Sequence, residues 1–165
     1  MRIGLLSDTH DFLDTAFLAI KAMGPIDLLI HAGDHFRDAS KIASEINVPV
    51  HAVVGNCDSR SEGPEEKLLQ VDGAVLLITH GHRYNVKISI YNLFNRAVEL
   101  KADAVIYGHT HVPGYGHTKV AGYSNQAGLL IINPGSISKP REGGRNSYSL
   151  LEIEGGIITP YIHYL

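Results

Sequence analysis

The chain has 165 residues, of which 44% are hydrophobic, and its 14 basic and 17 acidic side chains give a formal charge of −3. This length allows one well-buried core and is too short for two ordinary domains, so we expect a single domain over residues 1–165. The slightly acidic balance, with no basic run anywhere, excludes a general electrostatic attraction to nucleic acid or to an anionic membrane surface. An anionic substrate would therefore need cations placed locally.

The chain is poor in cysteine and rich in histidine. The one cysteine, Cys57, excludes an internal disulfide framework and is compatible with a reducing compartment. A strand-like segment begins at Arg2 without a signal-peptide pattern before it, and no apolar run approaches membrane-spanning length. We therefore expect a cytoplasmic protein with no membrane partner. Ten histidines, in contrast, lie among other residues that could bind metal.

The first part of the chain alternates short apolar runs with helical patterns. The runs at 3–6, 28–31 and 50–54 indicate buried strands, and the apolar spacing indicates helices over 13–23 and roughly 38–46. Each predicted strand runs into a polar loop. Strands alternating with helices are typical of a mostly parallel sheet with helices on its faces, where ligands bind beyond the carboxyl ends of the strands.

The middle of the chain continues this pattern after a polar segment over 59–67, which we expect to begin as irregular structure. Residues 74–78 and 104–107 indicate two more strands, with an amphipathic helix over 88–100 between them. After Pro113 the segments 117–123, 129–133, 147–153 and 157–164 are short and separated by glycine-containing turns, which favours antiparallel hairpins. We expect the C-terminal third to form a second sheet, in a two-sheet sandwich with helices outside.

Polar side chains of the metal-binding type follow the predicted strands. They are Asp8, His10, Asp34, Asn56, His80, His109 and His111. Taken singly, such residues are commonly turn or helix-capping residues, but their joint register points to one rim. Seven ligands are too many for one tetrahedral ion with an open position, whereas two ions that share one ligand would use them all.

The chemistry of these ligands narrows the function. Carboxylate, amide and imidazole groups without a thiolate suit borderline divalent ions, with Mn²⁺ first and Zn²⁺, Ni²⁺ or Fe²⁺ as alternatives. Two such ions about 3.5 to 4 Å apart can clamp the oxygens of a phosphoryl group and neutralise the charge that develops during an in-line displacement. The ligand set therefore predicts phosphoester hydrolysis.

Five short motifs also carry a family resemblance. They are Asp8-x-His10, Gly33-Asp34, Gly55-Asn56, His80 and Gly108-His109-x-His111, and they look like the blocks of the calcineurin-like metallophosphoesterase superfamily in order and spacing. With Gly55-Asn56-Cys57-Asp58 and the later Asn133-Pro134-Gly135-Ser136, the chain is most similar to the small YfcE-type phosphodiesterase subgroup, to which the retromer subunit Vps29 is related. The resemblance implies an α/β fold with mixed sheets in a four-layer α/β/β/α sandwich.

The resemblance further implies a role for each ligand. The first ion would be held by Asp8, His10, Asp34 and His111, and the second by Asp34, Asn56, His80 and His109. Asp34 would bridge the two ions, and a hydroxide between them would attack phosphorus without a phosphoenzyme. Asp34, Asn56 and His80 are therefore candidate catalytic residues as well as candidate ligands.

One position departs from the superfamily pattern. Many members have histidine directly after the asparagine of the third block, where it assists the leaving group or binds phosphate, and this chain has Cys57. A thiol with a pKa near ~8.5 is a poor general acid. We therefore expect the substrates to be esters whose leaving group needs little protonation, or a different residue such as Asp58, His82 or His35 to donate the proton. Cys57 and Asp58 are both candidate catalytic residues.

Several alternatives stay open. The expected substrate is a small organic phosphodiester, with a phosphomonoester as the alternative, and a nuclease fits poorly with the acidic balance. A non-catalytic scaffold like Vps29 is the alternative from another class, although a scaffold has no chemical need for the full ligand set. A homo-oligomer is compatible with the sequence.

Two further residues have open roles. Arg141 is a candidate phosphate contact, although a solvated loop arginine is commoner. His31 is expected to be a buried, hydrogen-bonded histidine rather than a ligand.

Overall fold

The computed structural model describes residues 1–118, 128–141 and 143–165. Within these ranges the strands are β1 (Arg2–Leu6), β2 (Leu28–His31), β3 (Val50–Ala52), β4 (Glu66–Val71), β5 (Ala74–Thr79), β6 (Ala104–Ile106), β7 (Gly114–Thr118), β8 (Leu129–Asn133), β9 (Ser147–Glu154) and β10 (Ile157–Tyr164). The helices are α1 (Leu13–Met23), α2 (Phe36–Glu45) and α3 (Tyr91–Glu99), with a short 3₁₀ helix at His82–Tyr84.

The strands form two mixed sheets. The first has the order β10-β9-β1-β2-β3, in which β1, β2 and β3 are parallel and the β9–β10 hairpin adds an antiparallel edge. The second has the order β4-β5-β6-β8-β7, in which β5, β6 and β8 are parallel and both edge strands are antiparallel. Parallel strands at the centre of each sheet direct the loops that follow them to a common edge.

Three apolar layers hold the sheets and helices together. Ile3 on β1 and Ile78 on β5 belong to the layer between the two sheets. On the outer face of the first sheet, Leu29 packs with residues of α1 and α2, and on the outer face of the second sheet, Val105 packs with residues of α3. The central strands are buried on both faces, which explains their continuous apolar runs. The layers are α/β/β/α, and the predicted fold class is confirmed.

The assignment of the C-terminal strands to one second sheet is wrong. The β9–β10 hairpin pairs with β1 and completes the first sheet, whereas β7 and β8 join β5 and β6 in the second. The glycine turn at Gly155-Gly156 specifies a hairpin, but it carries no information on which sheet edge the hairpin meets. That choice depends on contacts between segments distant in sequence.

Element boundaries differ from the predictions at a few places. Strand β4 begins at Glu66, inside the segment that we expected to begin as irregular structure, and it is an edge strand with alternating exposure. Helix α3 begins three residues later than predicted. Ile88, which we counted in the helix, lies before it and is 87% exposed, so it adds nothing to the apolar face of the helix. The strand predicted over 117–123 begins at Gly114, and its later part lies outside the described residues. Within the described ranges, no helix has the length and apolar character needed to cross a membrane.

The layer between the sheets gives a direct test of the packing. Ile106 is fully buried there, and replacing it with alanine should lower the free energy of unfolding by about 3 kcal/mol, since core Ile→Ala changes remove contacts and leave a cavity. Ile157→Ala is the matched control, because Ile157 is 73% exposed and should change stability by less than about 0.5 kcal/mol. Urea denaturation measures both, and equal effects would contradict the assigned core.

Candidate metal centre

Loops from both sheets meet at one edge of the sandwich. Five of the candidate ligands in these loops adopt a left-handed backbone with φ between 46° and 69°, namely Asp8, His10, Asp34, His109 and His111. Residues other than glycine rarely take this conformation, and a cluster of them marks a functional site. The backbone N–H of Asp8 donates to the Gly33 carbonyl at 3.0 Å, and that of His109 donates to Asp8 Oδ2 at 3.2 Å. These bonds tie three loops together.

Four side chains form a compact ligand group. One donor atom from each of Asp8, His10, Asp34 and His111 lies within 4.8 Å of the others. Oδ1 of Asp8 and Nε2 of His10 are buried and have no hydrogen-bond partner among the described residues. Leaving a buried carboxylate oxygen unpaired is unfavourable unless a cation compensates it. The group therefore fits a metal ion.

Backbone carbonyls set the proton positions on two of the imidazoles. Nδ1 of His111 donates to the Lys139 carbonyl at 2.6 Å, and Nδ1 of His80 donates to the Ala32 carbonyl at 2.9 Å. In a neutral imidazole with its proton on Nδ1, Nε2 offers only a lone pair. Orientation of an imidazole by a backbone carbonyl is the usual arrangement for a metal-ligating histidine.

The two oriented rings face oxygen atoms that also lack protons. Nε2 of His111 lies 3.1 Å from Asp8 Oδ1, and Nε2 of His80 lies 3.2 Å from Asn56 Oδ1. While each ring is neutral with its proton on Nδ1, both pairs bring acceptor against acceptor, and at His111 a second proton on Nε2 would instead bond to Asp8. A shared cation satisfies such a pair, and this donor chemistry supports the fit of divalent ions.

Asp34 connects the first ligand group to a second one. Its Oδ2 lies 3.8 Å from Nε2 of His10, whereas its Oδ1 lies 3.3 Å from Nε2 of His80. Asn56 meets the same His80 nitrogen, and the His109 ring lies 5.1 Å from the His80 ring. The structure thus brings together the side chains that the sequence singled out, with Asp34 in the middle.

The two carboxylates are held in the charged form. Burial raises the pKa of Asp8, but the contacts with His111 and His80 outweigh burial and leave the pKa below its usual value. Burial likewise raises the pKa of Asp34, and His80 together with the backbone N–H of Cys57 brings the pKa below its usual value. Charged carboxylates are the form that binds divalent ions.

The imidazoles divide into two kinds. Burial is the main cause that lowers the pKa of His10, and burial followed by the charge of His80 lowers the pKa of His109 to about 4. The hydrogen bond to Asp8 instead raises the pKa of His111. His10 and His109 are thus neutral near pH 7, whereas His111 holds a proton more tightly, and a metal ion bound there would displace it.

Comparison with known protein families identifies the superfamily of this chain. The family described as the calcineurin-like phosphoesterase superfamily domain matches residues 1–156. The chain belongs to this superfamily. The probable metallophosphoesterase YsnB of Bacillus subtilis is 34% identical over 160 residues, which cover 96% of this chain and 88% of YsnB. Phosphodiesterase YfcE of Escherichia coli K12 is 29% identical over 126 residues, which cover 68% of this chain and 59% of YfcE.

Solved structures of the superfamily fold agree. A predicted phosphoesterase from Streptococcus pneumoniae superposes with a TM-score of 0.79 at 28% identity, covering 99% of this chain and 88% of that protein. Vps29 of Entamoeba histolytica, crystallised with Zn²⁺, superposes with a TM-score of 0.78 at 23% identity, covering 99% of this chain and 92% of Vps29. The second similarity shows the shared fold alone. The predicted resemblance to the superfamily is confirmed.

The two residues after Asn56 contact the centre in different ways. Cys57 is exposed, and burial of part of its thiol, followed by the neighbouring Asp34, raises the pKa of Cys57 to about 11. Asp58 turns toward the backbone, where its two oxygens accept N–H groups of Phe36 and Gly55, each at 2.8 Å. Asp58 therefore braces the loop after β3 against the start of α2.

The two other candidate proton donors lie beside different ligand groups. The His35 ring lies 4.9 Å from the His10 ring, and its Nδ1 lies 3.2 Å from Asp11 Oδ2. The His82 ring lies 5.4 Å from the His80 ring and 6.1 Å from the His109 ring. His35 thus adjoins the first group and His82 the second.

A buried polar network under the first loop was missed by the sequence reasoning. Asp38 on α2 accepts the Thr9 hydroxyl at 2.8 Å and the Asp11 backbone N–H at 2.9 Å, and Thr9 also lies 3.1 Å from Nε2 of His31. His31 is fully buried and hydrogen-bonded, as predicted. Asp38 gave no signal, because a carboxylate in the first turn of a helix is ordinarily a solvated residue.

Residues from the C-terminal part support the centre from the other side. The hydroxyls of Ser136 and Ser138 both donate to the Asp8 carbonyl, at 3.0 and 2.8 Å. Nδ2 of Asn133 donates to the Gly108 carbonyl at 2.9 Å. The turn over 133–136 therefore positions ligand loops and contributes no ligand atom to the group around Asp8.

Gly108 gives a test of the centre that changes no ligand. A Cβ at this position would overlap Oγ of Ser7 and lie 2.8 Å from Asp8 Oδ2, so Gly108→Ala should displace the Asp8 carboxylate. We expect Mn²⁺ affinity, measured by titration calorimetry, to fall about tenfold or more, as for other changes behind metal ligands. Gly116→Ala is the control, because a Cβ there meets nothing within 4 Å. Equal affinities of the two variants would contradict the assignment.

The buried His31 predicts a dependence of stability on pH. Burial lowers its pKa from 6.5 to about 4 in the folded state, so the unfolded chain takes up the proton first as the pH falls. The contribution of His31 to the free energy of unfolding should therefore decrease by about 3 kcal/mol between pH 6.5 and 4 and stay constant below that range, where the carboxylates with lowered pKa values, Asp8 and Asp34, take over the loss of stability. His31→Gln should flatten this part of the curve in denaturation series, with His117→Gln as the control for loss of an exposed imidazole. A parental slope in His31→Gln would contradict the prediction.

Proposed function

We propose that this protein is a metal-dependent phosphoesterase that hydrolyses small organic phosphodiesters with two divalent ions. The observation that carries the proposal is that an imidazole Nε2 lies against an oxygen atom in two places, His111 against Asp8 at 3.1 Å and His80 against Asn56 at 3.2 Å, with Asp34 facing both groups. Ions bound there would lower the pKa of a water molecule and neutralise charge on the phosphoryl oxygens. Oxygen and nitrogen donors support Mn²⁺ first, then Zn²⁺, Ni²⁺ or Fe²⁺.

The chain supplies positioning for this chemistry. Asp34 would be the ligand shared by both ions, because its two oxygens face the two ligand groups. The Ala32 and Lys139 carbonyls hold the rings of His80 and His111 in register. Rigid orientation of this kind reduces the reorganisation needed when the transition state forms.

Cys57 and Asp58 are poorly suited to protonating the leaving group. The raised pKa of Cys57 makes its thiol a poor acid at neutral pH, and the oxygens of Asp58 are bonded to the backbone. We assign Asp58 to positioning and keep His82 and His35 as the candidate donors. This composition supports esters whose leaving group is itself acidic, such as aryl phosphodiesters, over those that need full protonation.

The compartment and the other partners remain predictions. The exposed thiol of Cys57 fits the cytoplasm, and the net charge of −3 gives no basis for a nucleic-acid partner. The second candidate function is a scaffold, for which the similarity to Vps29 is the motivation. That Vps29 was crystallised with Zn²⁺, so metal binding alone does not separate the candidates, and turnover does.

The first test is hydrolysis of bis(p-nitrophenyl) phosphate and of p-nitrophenyl phosphate by chelator-stripped protein, before and after Mn²⁺ is added back. We expect activity only with metal, and faster hydrolysis of the diester than of the monoester. Activity should be more than about hundredfold lower in Asp34→Asn, because losing a shared metal ligand should cost more than losing a residue that merely supports a ligand. Asp14→Asn, on an exposed residue of α1, is the matched control and should behave as the parent.

Each other outcome has a definite meaning. Metal-independent turnover, or full activity in Asp34→Asn, would remove the two-ion proposal. A faster monoester would change the substrate class to phosphomonoesters. Metal bound at two ions per chain with no turnover of either ester would favour the scaffold and direct the work to protein partners.

A further inference from the structure

A cleft opens beside the second ligand group. Its volume is about 710 Å³, and its walls include Val86, Lys87, Tyr107, Thr110, Pro113 and Arg141. Tyr107 and Thr110 stand on either side of Gly108-His109 in the chain, so the cleft adjoins the loop that carries a candidate ligand. A Cβ on Gly81, the residue after His80, would lie 3.0 Å from Val86 and 3.3 Å from Tyr107. The wall of the cleft formed by Val86 and Tyr107 therefore also packs against the loop that follows the candidate ligand His80.

The cleft carries positive charge in a protein that is negative as a whole. Lys87 and Arg141 are exposed, and neither side chain has a hydrogen bond or ion pair with the described residues, whereas Arg83 and Arg96 each pair with a glutamate. Among the described residues that line the cleft, none is acidic. Two unpaired cations beside a predicted phosphoester site favour an anion that the metal ligands do not contact.

The remaining walls suit a flat, partly apolar body. Tyr107 is half-buried and offers an aromatic surface, and Val86 and Pro113 lie in the same cleft. Aromatic and aliphatic walls of this kind hold rings by contact, while a guanidinium and an ammonium hold phosphate oxygens by charge-assisted hydrogen bonds. The cleft therefore combines an anion site with a surface for a ring.

We propose that this cleft binds a second phosphate group of the substrate, held by Lys87 and Arg141, with the ring-containing part between the two phosphates against Tyr107. The proposal rests on the proposed function and narrows its substrate class to bisphosphorylated compounds such as nucleotides. Only the first phosphate reacts: the oxygen of water bonds to its phosphorus, the ester P–O bond breaks, the departing oxygen takes the electron pair, and the proton lost by water passes to solvent. The second phosphate serves as a handle.

A matched pair of esters tests the proposal. The p-nitrophenyl ester of thymidine 5′-phosphate and the same ester with an added 3′-phosphate release the same product and differ in one phosphate. We expect the 3′-phosphorylated ester to have a KM at least about tenfold lower in the Mn²⁺-loaded parent. The double variant Lys87→Met/Arg141→Met should lose this preference, whereas Lys21→Met, on an exposed lysine of α1, should keep it.

Equilibrium binding separates the proposal from the hydrolase assignment. Titration calorimetry should show thymidine 3′,5′-bisphosphate binding at least about tenfold more tightly than thymidine 5′-phosphate, with the difference lost in the double variant. Turnover of both esters without a preference, or a preference that survives in the double variant, would overturn the phosphate handle and leave the hydrolase. Tighter binding of the bisphosphate that depends on Lys87 and Arg141, without turnover of either ester, would support the handle and overturn the hydrolase.

Discussion

The carbonyls of Ala32 and Lys139 determine the chemistry at this edge of the sandwich. By accepting the Nδ1 protons of His80 and His111, they turn two Nε2 lone pairs toward oxygens that carry no proton. Facing lone pairs in a buried site are unfavourable until a positive charge separates them. A proton can serve at His111, but divalent ions serve both pairs at once. The backbone geometry thus orients these atoms for a cation without any bound ion.

Keeping these atoms in place requires unfavourable backbone conformations. Several ligand residues have left-handed φ values, and each such residue costs on the order of 1 kcal/mol or more. The surrounding contacts hold the loops in this state: Asp38 accepts groups of the first loop from one side, and Ser136 and Ser138 donate to it from the other. These supports come from α2 and from the segment after β8, so both sheets contribute to holding the first ligand loop.

The sequence predicted which side chains meet at the rim better than it predicted the sheets. Strand ends, glycine punctuation and the residue types after each strand are local signals, and they placed Asp34 and His80 at one rim. Which sheet receives the β9–β10 hairpin depends on pairing with β1, more than 100 residues away, and no local pattern encodes that pairing. Asp38 was missed for the same reason. Its importance comes from Thr9 and Asp11, which are neighbours only in the folded chain.

The distribution of protons around the centre bears on its selectivity. Cys57 holds its proton with a pKa of about 11, and burial, followed by the charge of His80, lowers the pKa of His82, so the first is too weak an acid and the second is mostly neutral near pH 7. Neither Cys57 nor His82 would then readily protonate a departing alkoxide, which leaves His35 or nearby positive charge to stabilise it. Leaving groups that are stable as anions need the least of either, so the electrostatics of the site favour acidic leaving groups whatever the rest of the substrate contains.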